Sequence, residues 1–436
     1  MRFVSTRADS PATTLSAAIA TGLAPDGGLY VPESLPRLDM ESFAPDDTIA
    51  RTASRLLAPF FEGDALAPAL DVICAETFTF DAPLKPLATA HDFILELFHG
   101  PTAAFKDFGA RFLPACMRRL PRVDDLPLTI LVATSGDTGA AVGAAFADVP
   151  RFRIVILYPD GRVSSRQAHQ LGALGGNVHA LRVAGSFDDC QRLVKQAFAD
   201  AALREHVPLS SANSISLGRL LPQMAYFAHA ALAHRRMHGE TLNFVVPTGN
   251  LGNALACILA RKCGLPIGWI VLATNANRTL PDFFAGDAYA PRDSIATLAN
   301  AMDVGAPSNF ERLRWLYPDD VGLRREFRAV SVNDDAIRAT IRDRHARFGE
   351  IACPHAATAI CTLEALRQQG ATGDWAVAAT AHPAKFDGIV EPLIGRAVSV
   401  PPALAVLLAR PSTATPMAND YAALRAFLES TAPGNV

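Results

Sequence analysis

No disulfide or metal scaffold is written into these 436 residues. The seven cysteines, scattered from Cys74 to Cys361, are odd in number and include no C-x-x-C pair. That pattern argues against a disulfide framework or a zinc knuckle and fits reduced thiols. Charge of one sign is missing too. A formal net charge of -3 gives no general attraction to nucleic acid or anionic lipid, so any anion must be bound by local arrangement. The basic runs Arg118-Arg119 to Arg122 and Arg324-Arg325 to Arg328 are mixed with apolar residues at helical spacing and read as solvated helix faces. Long apolar runs are absent: the stretch Leu242 to Ala276 is broken by Pro247, Gly249, Asn250, Gly252, Asn253, Arg261, Lys262 and Pro266, so no membrane span is expected. The opening MRFVSTRADSPATT puts arginine, serine and aspartate where a secretory segment would be apolar, and the expectation is a cytoplasmic protein.

Several chemical fingerprints are lacking as well. There is no H-E-x-x-H; His91 and His99 have the wrong spacing, and Cys353-Pro354-His355 has no further ligands nearby in sequence. No serine sits in a G-x-S-x-G elbow. Neither G-x-G-x-x-G nor the P-loop G-x-x-x-x-G-K-[ST] occurs, which disfavours a dehydrogenase or a kinase.

What is present is an α/β pattern. With 50% hydrophobic and 19% charged residues the chain reads as globular, and its length suggests about two or three domains. Buried strands are expected at Leu128 to Thr134, Phe152 to Tyr158 (stopped by Pro159), Val178 to Val183, Asn243 to Val246, Trp269 to Thr274 and Trp375 to Thr380. Helical stretches are expected at Phe187 to about Arg204, Leu217 to Met237 despite Pro222, and Ala254 to Cys263. Residues 1–90 are richer in proline and read as an N-terminal subdomain; 401–436 read as a terminal helix or strap.

Four constellations carry chemistry. In FHGPTAAFKDFGARF, Phe98 to Phe112, the single lysine, Lys106, lies among apolar and small residues. Most lysines sit on solvated faces, but a desolvated amine can serve as a nucleophile or Schiff-base former. In VVPTGNLGNALA a strand delivers Gly249, Asn250, Leu251, Gly252 and Asn253 to a helix start, where free N–H groups can cradle a phosphate. The turn Thr134-Ser135-Gly136-Asp137-Thr138-Gly139 offers hydroxyls and amides to a carboxylate or phosphate, although Ser135 or Asp137 could simply cap a helix. If the sheet is parallel, both turns lie at a common edge, where open α/β sheets bind ligands. In Asn213-Ser214-Ile215-Ser216-Leu217-Gly218-Arg219 an arginine could fork onto phosphate, though spacing alone favours an exposed helix arginine. His382, beside Pro383 at the end of a strand, reads as a satisfied polar group. Amine plus phosphate cradle plus anion donors suits pyridoxal phosphate acting on a small acidic substrate.

The residues also resemble a known family. STRADSP, GLAPDGGLYVP, the Lys106 segment, ATSGDTGAA, LGGNV, ANSISLGRLLPQ, PTGNLGNALA, ATNAN, NAMDVGAPSN and TAHPAKF occur in an order similar to the threonine synthase family, in the branch of many bacteria and fungi. That family belongs to the fold type II pyridoxal-phosphate enzymes related to the tryptophan synthase β subunit. The resemblance implies two open twisted α/β domains, a smaller mobile one at 91–225 and a larger cofactor-binding one at 226–400. It implies Lys106 as the Schiff-base lysine with Phe105 beside it, and Gly249, Asn250, Leu251, Gly252 and Asn253 around the phosphate of pyridoxal 5'-phosphate. Thr380 would meet the pyridine nitrogen through a neutral hydroxyl. Ser135, Asp137 and Thr138 would grip the substrate amino acid, and Asn213, Ser216 and Arg219 would lie near its phosphate. Ser216 stands where the family usually has asparagine. The implied reaction converts O-phospho-L-homoserine and water to L-threonine and phosphate, with no metal, no nucleic acid, no membrane, and a monomer or homodimer as the assembly. Two alternatives remain at this stage: a phospholyase of the same fold releasing a 2-oxo acid, and an inert scaffold homologue.

Overall fold

Two parallel sheets grow out of the strand and glycine-turn alternation. The structure, a computed structural model, describes residues 1–121 and 126–430, so Arg122 of the first basic run and the last six residues of the tail lie outside the described residues. The larger sheet runs in the order Arg328–Ser331, Ile267–Thr274, Leu242–Pro247, Trp375–Ala379, Asp92–Glu96, Leu84–Pro86, and only the last strand is antiparallel. The smaller runs Thr415–Met417, Val178–Val183, Phe152–Pro159, Leu128–Ala133, Leu209–Ser210, all parallel. Leu242–Pro247 and Phe152–Pro159 are buried at every position, as parallel strands covered by helices on both faces are.

Sheet membership cuts across sequence order. Asp92–Glu96, inside the range 91–225, pairs with Trp375–Ala379 of the larger sheet, and Thr415–Met417 of the tail pairs with Val178–Val183 of the smaller. The two glycine turns follow Leu128–Ala133 and Leu242–Pro247, which belong to different sheets, so they do not share one sheet edge as expected.

Local departures have local causes. Pro159 does not stop its strand early but closes it, in register with Val183. The helix expected from Phe187 to Arg204 breaks at Asp200, whose side chain accepts the Leu203 N–H at 3.0 Å and starts the separate helix Ala201–His206. Pro222, lacking an N–H, splits the next into Leu217–Leu220, a 3₁₀ turn Leu221–Gln223 and Met224–His238. Arg328 opens a strand rather than continuing a helix.

The N-terminal residues form a two-stranded antiparallel ribbon, Phe3–Ser5 with Tyr30–Pro32, and the helices Leu15–Thr21, Ile49–Leu57 and Leu70–Thr77. Their apolar faces share one core with the helix Lys106–Met117, where Phe61 meets Phe112 edge-on at 6.2 Å. That packing fixes the helix whose first residue is Lys106. No described helix is long and apolar enough to cross a membrane.

Candidate active site

Lys106 is placed by backbone pairing. Ala104 bridges Ala381 antiparallel, the Phe105 N–H donates to the Thr380 carbonyl at 2.8 Å, and the His382 N–H donates to the Ala103 carbonyl at 3.0 Å. The small side chains of Ala103 and Ala104 permit that approach, and Lys106 follows as the first residue of its helix. Asp107 folds back to pin the helix start: Thr102 donates its hydroxyl to Oδ1 at 2.7 Å and its N–H to Oδ2 at 2.9 Å. Burial raises the Asp107 carboxyl to about 6. Two residues on, Gly109 lies against the Arg219 backbone; a Cβ there would sit 2.5 Å from the Arg219 carbonyl oxygen. A glycine is therefore needed where this helix crosses Leu217–Leu220.

The Lys106 side chain keeps a partly accessible surface, yet its amine is enclosed. Desolvation pulls it down to about 8, with Asp137 opposing and Arg219 and Lys385 assisting. An amine near neutrality can bond an aldehyde and carry protons.

The Ser135 turn is tied together internally. Thr134 accepts the Gly136 and Gly139 N–H groups at 3.0 and 2.9 Å through its hydroxyl. Gly136 has φ of 128°, which a side chain would strain, and a Cβ there would collide with Gln167. Ser135 and Thr138 are half-buried. Asp137 is held through one oxygen: Lys385 Nζ lies 2.7 Å from its Oδ1 and Gln167 Nε2 donates to that oxygen at 2.9 Å. Burial works against the Asp137 carboxylate, but Lys385, Lys106 and His355 overcome it and hold the group well below the usual range.

The second turn is built differently. Gly249 lies under the Met302 backbone, where a Cβ would approach within 2.8 Å. Leu251 adopts φ of 63° and Gly252 begins the helix Gly252–Lys262, which has no side-chain cap. Asn250 donates to Ser214 Oγ at 2.7 Å, and Asn309 donates to the Asn250 carbonyl at 3.0 Å. Tyr226 donates its hydroxyl to Asn253 Oδ1 at 2.5 Å, while Asn253 Nδ2 is buried with no partner.

Arg219 overturns the expectation of an exposed helix arginine. It is 2% exposed, Nη1 donates to the Ala212 carbonyl at 2.5 Å, and Nε has no partner. Burial lowers it to about 10, still cationic at neutral pH. Ser216 is buried and leaves its Oγ without a partner. Asn213 is half-buried, and its carbonyl accepts the Ser216 N–H at 3.1 Å. Each unpartnered buried donor costs about 1–3 kcal/mol. Three of them, beside an uncapped helix start and an enclosed amine, fit a phosphate-bearing aldehyde and an anionic substrate.

Sequence reasoning missed Lys385, Thr102, Gln167 and Asn309 as site-building residues. The signal for Lys385 was available, since in AHPAKF it sits between alanine and phenylalanine, as unusual a setting as that of Lys106. His382 reads as expected: its Nδ1 accepts the Ala384 N–H at 3.2 Å, and burial lowers it to about 4. His355 accepts the Ala301 N–H at 3.1 Å, and no group of three or more metal-ligating side chains gathers among the described residues.

Parallel sheets, a glycine turn at an uncapped helix start and an enclosed lysine fit one class: this is a pyridoxal-phosphate dependent enzyme, and the family so described matches residues 83–383. The flanks are equally informative, with the threonine synthase N terminus matching 2–78 and the threonine synthase C-terminal family matching 356–428. The chain is 39% identical to the threonine synthase of Serratia marcescens over 414 residues, covering 94% of this chain and 95% of that one. It superposes on the crystal structure of threonine synthase from Escherichia coli with a TM-score of 0.89 at 36% identity, covering 99% and 100% of the two chains. A pyridoxal-phosphate-bound threonine synthase from Brucella melitensis gives 0.88 at 33% identity over 100% of each chain. The chain belongs to the threonine synthase family.

Proposed function

We propose that the protein acts on O-phospho-L-homoserine and water and yields L-threonine and phosphate. The γ-carbon–oxygen bond to phosphate breaks, the γ carbon ends as a methyl group, and the oxygen of water ends on the β carbon. One observation carries the reading: Arg219, whose Nε is buried without a partner, packs against the helix that Lys106 opens and lies within electrostatic reach of that amine, while Ser216 Oγ and Asn253 Nδ2 are likewise buried and unpartnered.

Pyridoxal phosphate, when bound, supplies an aldehyde for amines and a ring that draws electron density from the substrate's α carbon. Lys106, with Phe105 beside it, would hold that aldehyde until the substrate's amine takes its place, and the Nζ so freed would move protons at the α and β carbons; an amine of about 8 is divided between both protonation states near neutral pH. Gly249, Asn250, Leu251, Gly252 and Asn253 present N–H groups to the cofactor phosphate, and Thr380 offers a hydroxyl to the ring nitrogen. Ser135 and Thr138 grip the substrate's amino-acid end, with Asp137 fixing their turn. Asn213, Ser216 and Arg219 hold the substrate phosphate and retain it as it leaves.

The units 1–90, 91–225, 226–400 and 401–436 belong to this reading, with Asp92–Glu96 and Thr415–Met417 crossing between sheets, and the smaller unit closes over the substrate to exclude water. A monomer or homodimer in the cytoplasm completes it. The test incubates cofactor-loaded protein with O-phosphohomoserine and follows phosphate and threonine together. Equal release supports the reading, whereas phosphate with oxobutyrate and no threonine moves the protein to the 2-oxo acid lyases. Lys106→Ala is expected to lose activity by at least about 10³-fold and to leave no borohydride-fixed cofactor in a mass spectrum.

A further inference from the structure

A second lysine is enclosed beside Lys106. The Lys385 side chain is 0% exposed; its Nζ lies 2.7 Å from Asp137 Oδ1 and donates to the Thr102 carbonyl at 2.8 Å. These three residues come from three separate segments. Lys385 follows Trp375–Ala379 of the larger sheet, Asp137 opens the helix after Leu128–Ala133 of the smaller sheet, and Thr102 holds the Asp107 carboxylate that pins the start of the Lys106 helix.

The surrounding contacts also cross between the sheets. Gln167, which donates to Asp137, accepts from Asn300 Nδ2 at 3.2 Å. Ser164 donates its hydroxyl to the Lys385 carbonyl at 2.7 Å, and Arg166 donates to the Ala384 carbonyl at 2.6 Å while lying 3.2 Å from Asp387. Gln170 donates to the Thr102 carbonyl at 3.3 Å. The helix Ser165–Gly172 thus clasps the Lys385 segment from the smaller unit, with one fully buried ion pair at its centre. A carboxylate without a partner in such a place is strongly unfavourable, so Asp137 is at home only where Lys385 is docked.

We propose that Lys385 is a positioning residue: its ion pair with Asp137 docks the Ser135–Gly139 turn of the smaller unit against the Lys106 and Thr380 segments, setting the closed arrangement in which the turn receives the substrate. The inference rests on the reading of Lys106 as the reactive amine. Lys385 itself touches Asp137 and Thr102, and acts through the turn.

The test compares Lys385→Met, Lys385→Arg and the double variant Lys385→Met with Asp137→Asn, all as cofactor-loaded enzyme. Removing one partner can unfold the protein by stranding a charge; the double variant strands none. In it, KM for O-phosphohomoserine is expected to rise at least tenfold with kcat falling less than threefold and cofactor content unchanged. Lys385→Arg, which keeps the charge, is expected to stay within threefold of the parent KM. Independently of activity, amide exchange at Gly136 to Ala140 is expected to quicken at least tenfold in the double variant. A folded, loaded double variant with KM within twofold of the parent and unchanged exchange overturns the proposal, as does a fall in kcat at constant KM, or a tenfold KM rise in Lys385→Arg. Retention of borohydride-fixed cofactor by Lys106→Ala would instead sink the reading of Lys106, leaving the exchange result to stand or fall alone.

Discussion

The two strand, glycine-turn and helix units make an instructive pair. Thr134 to Gly139 and Gly249 to Asn253 share a local plan, each delivering a parallel strand to a helix start whose N–H groups attract negative charge. The first unit supplies its own anion: Asp137 occupies the first turn, Lys385 neutralises it, and the Thr134 hydroxyl takes two N–H groups. The second supplies none. Neither helix has a side-chain cap on its N-cap residue, but in the second unit Asn253 Nδ2 is also left without an acceptor. One unit spends its acidic side chain on a lysine inside the protein, while the other keeps a buried donor without a partner. A shared strand, turn and helix plan therefore leaves the handling of charge to the side chains.

The comparison can be broken from either side. Asp137→Ala strands the buried Lys385 ammonium and is expected to destabilise the cofactor-free protein by about 3–5 kcal/mol, read from denaturant unfolding. Gly249→Val pushes a side chain into the Met302 backbone, and overpacking of about 1–3 kcal/mol predicts a cofactor Kd raised by about 10–100-fold in an absorbance titration. Arg219→Met removes charge-assisted bonds of about 1.5–3 kcal/mol, so KM for the phosphorylated substrate is expected to rise by about 10–100-fold with cofactor retention intact. Ser216→Ala is the smallest change. Its hydroxyl bonds nothing in the cofactor-free protein, so removing it is expected to stabilise that form by up to about 1–3 kcal/mol while KM rises a few-fold.

pH separates the two buried lysine environments further. Lys106 is lowered by burial to about 8 against about 10.4 unfolded, so the folded protein holds fewer protons between those values and stability rises with pH across that window. Thermal melts of the cofactor-free protein should show this rise, and Lys106→Met should flatten it. Asp137 gives a slope of the same sign, but in the acid range. Held down chiefly by Lys385 despite its burial, it contributes fully above about 3.9 and loses that contribution only as acid titrates the folded carboxylate.

The strand and turn pattern was legible because it is local. Val178–Val183 has the bounds its β-branched residues predict, and Leu128–Ala133 and Ile267–Thr274 differ by one or two residues at an end. The break at Asp200 was hidden because an aspartate can cap a helix or ride within one, and the flanking apolar spacing continues across it. Sheet membership was hidden for a different reason. Asp92–Glu96 finds its partner, Trp375–Ala379, nearly 300 residues away in sequence, and no local signal encodes that pairing. The same holds at the site. Lys106 and the Gly249 turn stood out through composition, whereas the burial of Arg219 and the commitment of Asp137 to Lys385 depend on segments brought together only by folding.

By itself the sequence determined an α/β chain with one lysine in apolar company, a glycine turn able to take phosphate, and the family those motifs mark. Tertiary structure decided that Asp137 is paired with Lys385 while Arg219 and Asn253 keep buried donors without partners, and it placed Lys385 at the junction of the sheets. Periodicity and turn chemistry act over a few neighbouring residues, but the solvation and charge of a side chain are set by whatever distant segments enclose it.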